Sequence, residues 1–480
     1  MYAWVSLMGN AQGHFMGRVR RIHFVGIGGA GMSGIAEVLH NLGYQVSGTD
    51  LNEGSSVKRL KALGIDVKLG HAASNIEGSD IVVFSSAVSP SNPELTRADE
   101  LRIPVVRRAQ MLADLMRFHS GIAVAGTHGK TTTTSLIASI LAEGGLDPTY
   151  VIGGLLNSAG SHARLGSGKY LVAEADESDA SFHHLHPAIA VLTNIDRDHL
   201  ENYDNDFQNL KENFSEFMSR LPFYGVGVIC ADNEASAEIA KNNYGSFITY
   251  GIDHAADFAG YKLNQQGARM HFSVKHNDDP DWLDVQLNLP GKHNVLNALA
   301  AIAVANELGV SKPDICRALS GFQGIGRRCE ILGELDLDNK TVLLIDDYAH
   351  HPAEIAAVLT AVRNGWPGRR VVVVFQPHRY TRTSDLYEQF CSILADVDVL
   401  ILMEIYSAGE EPIMGISGQS LADGISQKGK VKPVFIDDLG KVTDTLIELT
   451  QDQDILLILG AGSIGTLGKK LQAEFGVKVH

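Results

Sequence analysis

The stretch Ile122-Ala-Val-Ala-Gly-Thr-His-Gly-Lys-Thr-Thr-Thr-Thr134 decides the fold. Four apolar residues run into Gly126-Thr-His-Gly-Lys-Thr131, and a helix-compatible segment follows. A strand, a glycine turn and a helix N-terminus together make a polyphosphate site, because backbone N–H groups and the helix dipole converge there. Gly126 and Gly129 let the backbone approach phosphate oxygens closely. Lys130 adds a positive charge, and Thr131 offers a hydroxyl to a Mg²⁺ ion. The fuller P-loop pattern asks for a glycine five positions before Gly129; Val124 stands there, so this is a shorter loop. The alternative is a tight turn with a surface lysine. Against it, Gly-Lys-Thr closes an apolar strand and opens a helix at the same point.

Upstream, Arg21-Ile-His-Phe-Val25 reads as a strand, Gly26-Ile-Gly-Gly-Ala-Gly31 as a turn, and the residues through Leu42 as a helix. A second strand, Tyr44 to Thr49, ends in Asp50. This is a dinucleotide-binding fingerprint with its acidic residue about 20 positions on. Taken alone it predicts NAD. The physics also admits a UDP-sugar, which likewise carries a diphosphate and a ribose, or a turn that only packs helix on strand. Short strands near Asp66–Leu69 and Asp80–Phe84 continue the unit. The latter ends in Ser85-Ser-Ala-Val88, at the strand end where open α/β sheets bind ligands. Pro104-Val-Val and a helix from Ala109 to Phe118 lead to a boundary near His119.

Downstream, Tyr170-Leu-Val-Ala-Glu174 and Ala188 to Asn194 are apolar runs with polar ends. Thr131, Glu174 and His199 are then candidate metal ligands at one sheet edge, an oxygen-rich set suited to Mg²⁺, with Mn²⁺ as a possible substitute. From Phe258 to Leu289 the pattern alternates, with turns at Gly267 and Asn277-Asp-Asp-Pro280, and predicts a small antiparallel sheet. A helix from Pro290-Gly-Lys-His-Asn294 to Leu308 carries Asn294 and Asn297 on one face, either as caps or as partners of a base edge. Gly321-Phe-Gln-Gly-Ile-Gly-Arg-Arg328 reads as a hinge whose Arg327 and Arg328 can deliver charge to phosphate.

The last third repeats the strand–helix alternation. Thr341–Ile345 ends in Asp346-Asp-Tyr-Ala-His-His-Pro352, and Arg370–Phe375 ends in Gln376-Pro-His-Arg-Tyr-Thr-Arg382. Val399–Met403 ends in Glu404, and Asp454–Leu459 in Gly460-Ala-Gly-Ser-Ile-Gly465. No acidic residue follows that last turn at the usual distance, so it reads as packing. His378, Arg379 and Arg382 form a cationic group at a strand end. The Asp347–His351 loop is expected to end the neighbouring strand.

The chain has 480 residues with a formal charge of −16, which argues against sequence-independent nucleic-acid binding. No apolar run approaches the roughly 20 residues that span a membrane. Residues 1–17 read as a loose tail without the layout of a signal peptide. Cys230, Cys316, Cys329 and Cys391 are widely spaced and read as reduced thiols of a cytoplasmic protein. Oligomeric state is left open by the sequence.

The combined motifs resemble the Mur ligases. Those that carry the resemblance are Gly26-Ile-Gly-Gly-Ala-Gly-Met-Ser-Gly34, Gly126-Thr-His-Gly-Lys-Thr-Thr132, Ala173-Glu-Ala-Asp-Glu-Ser-Asp179, Asp198-His-Leu-Glu201, Gly291-Lys-His-Asn294 and Asp346-Asp-Tyr-Ala-His-His-Pro352. The resemblance runs in order from about Arg21 to the C-terminus. It implies an α/β protein of three domains: a Rossmann-like one at 18–119, a central P-loop-type ATPase-like one with a small antiparallel sheet at 120–326, and a Rossmann-like one at 327–480.

It further implies a UDP-sugar, UDP-N-acetylmuramate, on Gly28, Gly29, Ala30, Gly31, Asp50, His71, Ser85, Ser86 and Ala87. ATP would lie on Gly126, Thr127, His128, Gly129, Lys130, Thr131, Thr132, Asn294, Asn297, Arg327 and Arg328. An amino acid, L-alanine, would be held by Tyr348, His350, His351, His378, Arg379 and Arg382. Lys130, His199, Arg328 and Asp347 would carry the chemistry, an ATP-driven amide synthesis through an acyl phosphate in peptidoglycan precursor synthesis. Some relatives carry a carbamylated lysine; that position falls near Asn213, with Lys211 displaced, so no modification is expected. Gly153-Gly-Leu-Leu-Asn-Ser-Ala-Gly160 departs from a lysine-containing version of the motif. A ligase recycling a peptide onto the same UDP-sugar, an NAD-dependent dehydrogenase and a non-catalytic nucleotide sensor are the competing expectations. The Gly-Lys-Thr loop and the Arg327–Arg328 hinge have no work to do in the dehydrogenase.

Overall fold

Three sheets organise the chain. The computed structural model describes residues 16–85, 87–157, 161–177 and 181–476. The expectation for Ser86, most of the loose tail, and parts of the Gly153–Gly160 and Ala173–Asp179 motifs lie outside these residues, as does the side chain of Ala30.

The first sheet holds β1 (Arg21–Val25), β2 (Gln45–Asp50), β3 (Asp66–Leu69), β4 (Ile81–Phe84) and β5 (Val105–Arg107), all parallel, in the order β3-β2-β1-β4-β5. The order reverses beside β1, so the crevice at its carboxyl end lies between Gly26–Gly31 and Ser85.

The second sheet is built around β6 (Ser120–Ala125). On one side lie β9 (Tyr170–Glu174) and β7 (Thr149–Leu156), with β8 (Ser161–Arg164) antiparallel at the edge. On the other lie β10 (Ile189–Leu192), β11 (Val226–Cys230) and β12 (Ser246–Gly251), all parallel. The switch point therefore sits at β6, and its crevice is formed by the Gly126 loop, Glu174 and Asn194. The alternating segment forms β13 (Phe258–Gln266), β14 (Arg269–His276) and β15 (Asp279–Leu287), neighbours in sequence order joined by two-residue links, as the pattern predicts.

The third sheet runs β16-β17-β21-β18-β19-β20, with β16 (Glu330–Asp336), β17 (Thr341–Asp347), β18 (Val371–Phe375), β19 (Val399–Met403), β20 (Val434–Ile436) and β21 (Ile455–Leu459). Only the β16–β17 pair is antiparallel. Val-Val-Val-Val-Phe in β18 and Ile-Leu-Leu-Ile-Leu in β21 are buried throughout. Such unbroken runs are what a strand covered on both faces requires.

The chain forms two compact units. One comprises Met1–Gly260, Lys275–Pro280 and Leu296–Leu319, the other Tyr261–Val274, Asp281–Val295 and Ser320–His480. The expected first domain and most of the second thus share one unit. A single apolar core joins them there: Ile22, Phe24, Ile35 and Leu39 pack in the same cluster as Val151, Ala163, Leu171 and Leu192. In the other unit, one core lies on each face of the third sheet.

One expectation is corrected here. β17 and β18 are not neighbours, because β21 lies between them. Their terminal loops still meet, with the His350 and His378 rings 5.6 Å apart. The strand between them is followed by Gly460 (φ +139), where a Cβ would come 2.7 Å from the Gln376 carbonyl oxygen. A side chain there would push Gln376 and its loop away.

Candidate active site

The helix Lys130–Glu143 starts at Gly129, whose φ of 82° falls in the left-handed region. No side chain caps this helix, and its first turn has no acidic residue. The same holds for the helix Ala30–Asn41, which starts at Gly29 in the first sheet. Other helices are closed by Asn92, Asp206 and Asn233. Bare N-terminal amides at two strand ends are suited to oxyanions.

Asn194 shapes the loop. It accepts from the His128 amide at 2.9 Å and donates to the His128 carbonyl at 3.0 Å. Thr127 Oγ1 accepts the Asp196 amide at 2.9 Å, and His128 Nε2 lies 3.2 Å from Asp196 Oδ2. Asn297 packs beneath the turn: its Oδ1 accepts from Thr133 Oγ1 at 3.2 Å, and a Cβ on Gly129 would meet that oxygen at 2.5 Å.

Lys130 donates to the carbonyls of Gly126 (2.6 Å) and Thr127 (3.1 Å) and to Glu177 Oε1 (2.8 Å). Burial works against its charge, but Glu177, Asp176 and Glu174 together outweigh this and raise its pKa. Thr131 Oγ1 donates to Glu174 Oε2 at 3.2 Å, and Glu174 Oε1 accepts the Gly153 amide at 2.6 Å. His199 has a φ of 56° and points its ring nitrogens toward Asp198 (3.6 Å) and Glu201 (3.8 Å). It is close enough to Glu177 to stabilise that carboxylate.

A cavity of about 310 Å³ lies within this unit. Gly29, Gly31 and Ser85 of the first sheet line one side, Gly153, Glu174 and Asp176 of the second line the other, and Arg108 is the cation among its lining residues. Arg108 spans it: it packs against Gly31 and pairs with Asp176 at 3.2 Å. Asp50 uses both oxygens on backbone amides, Gly28 at 2.8 Å and Asn52 at 3.1 Å. Thus the acidic residue of the fingerprint closes the glycine turn. His71 follows β3, bonded through Nδ1 to Thr49 at 3.0 Å. Ala87 is exposed, and its amide donates to Ser85 Oγ at 3.3 Å.

In the second unit, Arg327 is tied down. It pairs with Asp346 at 3.1 Å, donates to the Gly460 carbonyl and lies 5.2 Å from the Tyr348 ring centroid. Arg328 lies 5.1 Å from the same centroid. Asp347 accepts from the amides of Cys329 (2.6 Å) and Ala349 (2.7 Å). These bonds give it the work of joining the hinge to the strand end. Burial raises Asp346 and Asp347 to about 6 against the lowering effect of Arg327 and Arg328 respectively.

His351 caps the helix Pro352–Gly365, accepting from the Ala353 amide at 3.3 Å. Asn294 donates to the Pro290 carbonyl at 2.7 Å. His378 and Tyr406 stack at 5.5 Å, and Arg382 is buried beneath His378, 3.3 Å from its Nδ1. Arg379 faces Glu410 at 3.8 Å. Tyr348, His350, His378 and Arg382 are thus gathered around one strand-end cluster, with Tyr348 and His350 edge to face.

Sequence reasoning missed Glu177, Arg108 and the carboxylate Glu94. Glu177 lies in the same acidic run as Glu174, which was the available signal. Arg108 sits in no motif. Glu94 follows Asn92-Pro93, and Asn-Pro-Glu reads as an ordinary helix start.

Three family models match in chain order: "Mur ligase family, catalytic domain" over residues 21–120, "Mur ligase middle domain" over 124–305, and "Mur ligase, glutamate ligase domain" over 327–462. The UDP-N-acetylmuramate-alanine ligase MurC of Thermotoga maritima is 30% identical, with a TM-score of 0.82 over 95% of this chain and 98% of that one. The murein peptide ligase of Psychrobacter arcticus is 24% identical, with a TM-score of 0.70 over 96% and 100% of the two chains. The UDP-N-acetylmuramate:L-alanyl-gamma-D-glutamyl-meso-diaminopimelate ligase of Neisseria meningitides is 30% identical over 64% of this chain and all of that one, with a TM-score of 0.59. Two uncapped glycine turns, the first of them lining a cavity with Glu174, a half-buried lysine at the second and these matches lead to one statement: the chain belongs to the Mur ligase family, ATP-dependent ligases that form carbon–nitrogen bonds.

Proposed function

We propose that this enzyme joins L-alanine to the carboxylate of UDP-N-acetylmuramate, with release of ADP and phosphate. The observation that carries the reading is the cavity shared by the Gly29–Gly31 turn and Glu174. A UDP-sugar whose diphosphate lies on that turn would have its carboxylate end directed toward the phosphate loop. The 30% identity to an alanine ligase over nearly the whole chain supports the choice of amine.

A carboxylate is a poor electrophile, so the γ-phosphoryl group is first transferred to it. The amine then attacks the acyl phosphate, and phosphate departs. Such transfer depends on alignment and charge neutralisation. Lys130 supplies a fixed positive charge beside the loop amides. Thr131 and Glu174, already 3.2 Å apart, offer oxygen donors that fit Mg²⁺, with His199 as the third ligand. When bound, that ion would neutralise charge on the phosphates. Gly126 to Thr132, Asn294, Asn297, Arg327 and Arg328 are the ATP-binding residues in this reading. Asp347 fixes the hinge that carries Arg328. The strand-end group of Tyr348, His350, His351, His378, Arg379 and Arg382 receives the amino acid. The free cysteines suit a cytoplasmic enzyme, and among the described residues no helix is long and apolar enough to cross a membrane.

The test is phosphate release from ATP with UDP-N-acetylmuramate, with and without each amino acid. Release with L-alanine is expected. Release only with an L-Ala-D-Glu-containing peptide would assign the recycling reaction instead.

A further inference from the structure

Glu94 is fully buried on the first sheet and is satisfied from several sides. Its Oε1 accepts from Asn75 Nδ2 at 2.7 Å and from the Ala72 amide at 3.2 Å. Its Oε2 accepts from Thr49 Oγ1 at 2.7 Å. Two imidazoles face it, His23 Nε2 at 3.6 Å and His71 Nδ1 at 3.4 Å. Burial opposes its charge, yet these bonds hold its pKa down to about 2. An ionised carboxylate only accepts hydrogen bonds. The Thr49 proton must therefore point at Glu94, since two bare oxygens would repel at that distance.

Thr49 Oγ1 is also 3.0 Å from His71 Nδ1. With its own proton committed, the hydroxyl can only accept there, so Nδ1 of His71 carries a proton. The second carboxylate contact of Nδ1 requires the same. A neutral ring protonated at Nδ1 has a lone pair at Nε2. Hydrogen bonds to one ring nitrogen set what the other can do.

His71 stands at the carboxyl edge of the sheet, where its side chain is 14% exposed. Along that edge, β1 ends in the glycine turn, β2 in Asp50 and β3 just before His71. Strands lie about 4.8 Å apart, so His71 is roughly 10 Å from the turn. In the UDP-sugar reading, a diphosphate on the turn would put the ribose toward Asp50 and the base toward His71.

We infer that the Thr49–Glu94 pair fixes His71 as a hydrogen-bond acceptor that selects a base presenting a ring N–H, uracil over cytosine. This rests on the UDP-sugar reading above and deepens it. The uracil N3 carries a hydrogen, whereas cytosine N3 presents a lone pair, which would meet that of Nε2. Thr49 and Glu94 are positioning residues that act through His71.

The experiment uses the full chain with UDP and CDP as probes, measured calorimetrically. Wild type should favour UDP by about ten-fold, the scale of one hydrogen bond gained against one repelled. Thr49→Val, which keeps the shape and removes the relay, should bring the ratio below about three-fold, while Thr49→Ser retains it. In a spectrum of ¹⁵N-histidine-labelled wild type, with His71 assigned through His71→Gln, Nδ1 should bear the proton. Equal binding of UDP and CDP by wild type, an unchanged ratio in Thr49→Val, or a proton on Nε2, with or without one on Nδ1, would each overturn the inference while leaving the UDP-sugar site standing. Binding of neither nucleotide would remove the UDP-sugar reading and the inference together.

Discussion

Lys130, half-buried, and Glu177, buried, form an ion pair beside the Gly126–Thr131 loop, with Nζ 2.8 Å from Oε1 and 2.7 Å from Oε2. Removing one partner of such a pair leaves the other charge uncompensated. Lys130→Met should therefore cost about 3–5 kcal/mol of stability as well as activity. The double variant Lys130→Met/Glu177→Gln should recover much of that stability. It should not recover turnover, which should fall about 10²–10³-fold with the loss of a fixed cation at the phosphates. Denaturant unfolding beside phosphate release checks both, and near-normal turnover in either variant would remove Lys130 from the chemistry.

Glu174 holds the Gly153 amide and the Thr131 hydroxyl at once. If it is also a metal ligand, Glu174→Gln should raise the Mg²⁺ concentration needed for half-maximal activity by about 10–100-fold, on the scale of a lost or loosened ligand interaction. His199→Ala should move the same curve in the same direction. A Mg²⁺ titration of the variants that overlays the wild-type curve would show that neither residue binds the ion.

The elements most legible in the sequence are those whose signal is local. The Gly126–Thr131 turn, the Gly26–Gly31 turn and the apolar runs of β18 and β21 each declare themselves within a dozen residues. What the sequence hides is assembly over distance. Nothing in Thr341–Ile345 or Arg370–Phe375 says that a strand more than 70 residues further on will insert between them. Asn297 could be read as a cap or a base partner; its position under Gly129 depends on a turn over 160 residues earlier. Thr49, His71 and Glu94 have no motif because their bonds join three separate elements. Arg108 likewise gains meaning only once Asp176 is brought beside it.

Asp347 makes the stability of the second unit depend on pH. Its folded pKa is raised to about 6 by burial, above the ordinary value near 3.9. The folded state therefore binds its proton more tightly than the unfolded one. Its contribution to stability is present below about pH 4 and is lost as pH rises through about 6. Asp347→Asn removes that slope. Relative to wild type, the variant should gain up to about 3 kcal/mol between pH 4 and pH 7.5, whatever constant cost the amide imposes on the Cys329 and Ala349 bonds. Urea midpoints at the two pH values give the difference. A gap between variant and wild type that stays constant with pH would mean that Asp347 does not titrate in this window.

In the proposed reaction, the amine end turns on Arg379 and Arg382. A small amino acid offers a carboxylate, an amine and little else, so its binding depends on a fixed cation for the carboxylate. Arg382 is buried against His378, which stacks on Tyr406 and lies edge to face with His350. Its charge therefore supports the cluster from below. Arg379, more exposed and 3.8 Å from Glu410, is the better placed of the two to exchange a protein carboxylate for a substrate one. Arg379→Ala should raise the L-alanine KM at least ten-fold, the equivalent of about 1.4 kcal/mol, with the ATP KM changed by less than two-fold. Arg382→Ala should affect stability as well, because it removes the support of His378. Glycine and L-serine should remain weaker substrates of the wild type, since a methyl or hydroxyl group alters binding by only about 1–3 kcal/mol. An L-alanine KM that is unchanged in Arg379→Ala would place the amino-acid carboxylate elsewhere on the third sheet.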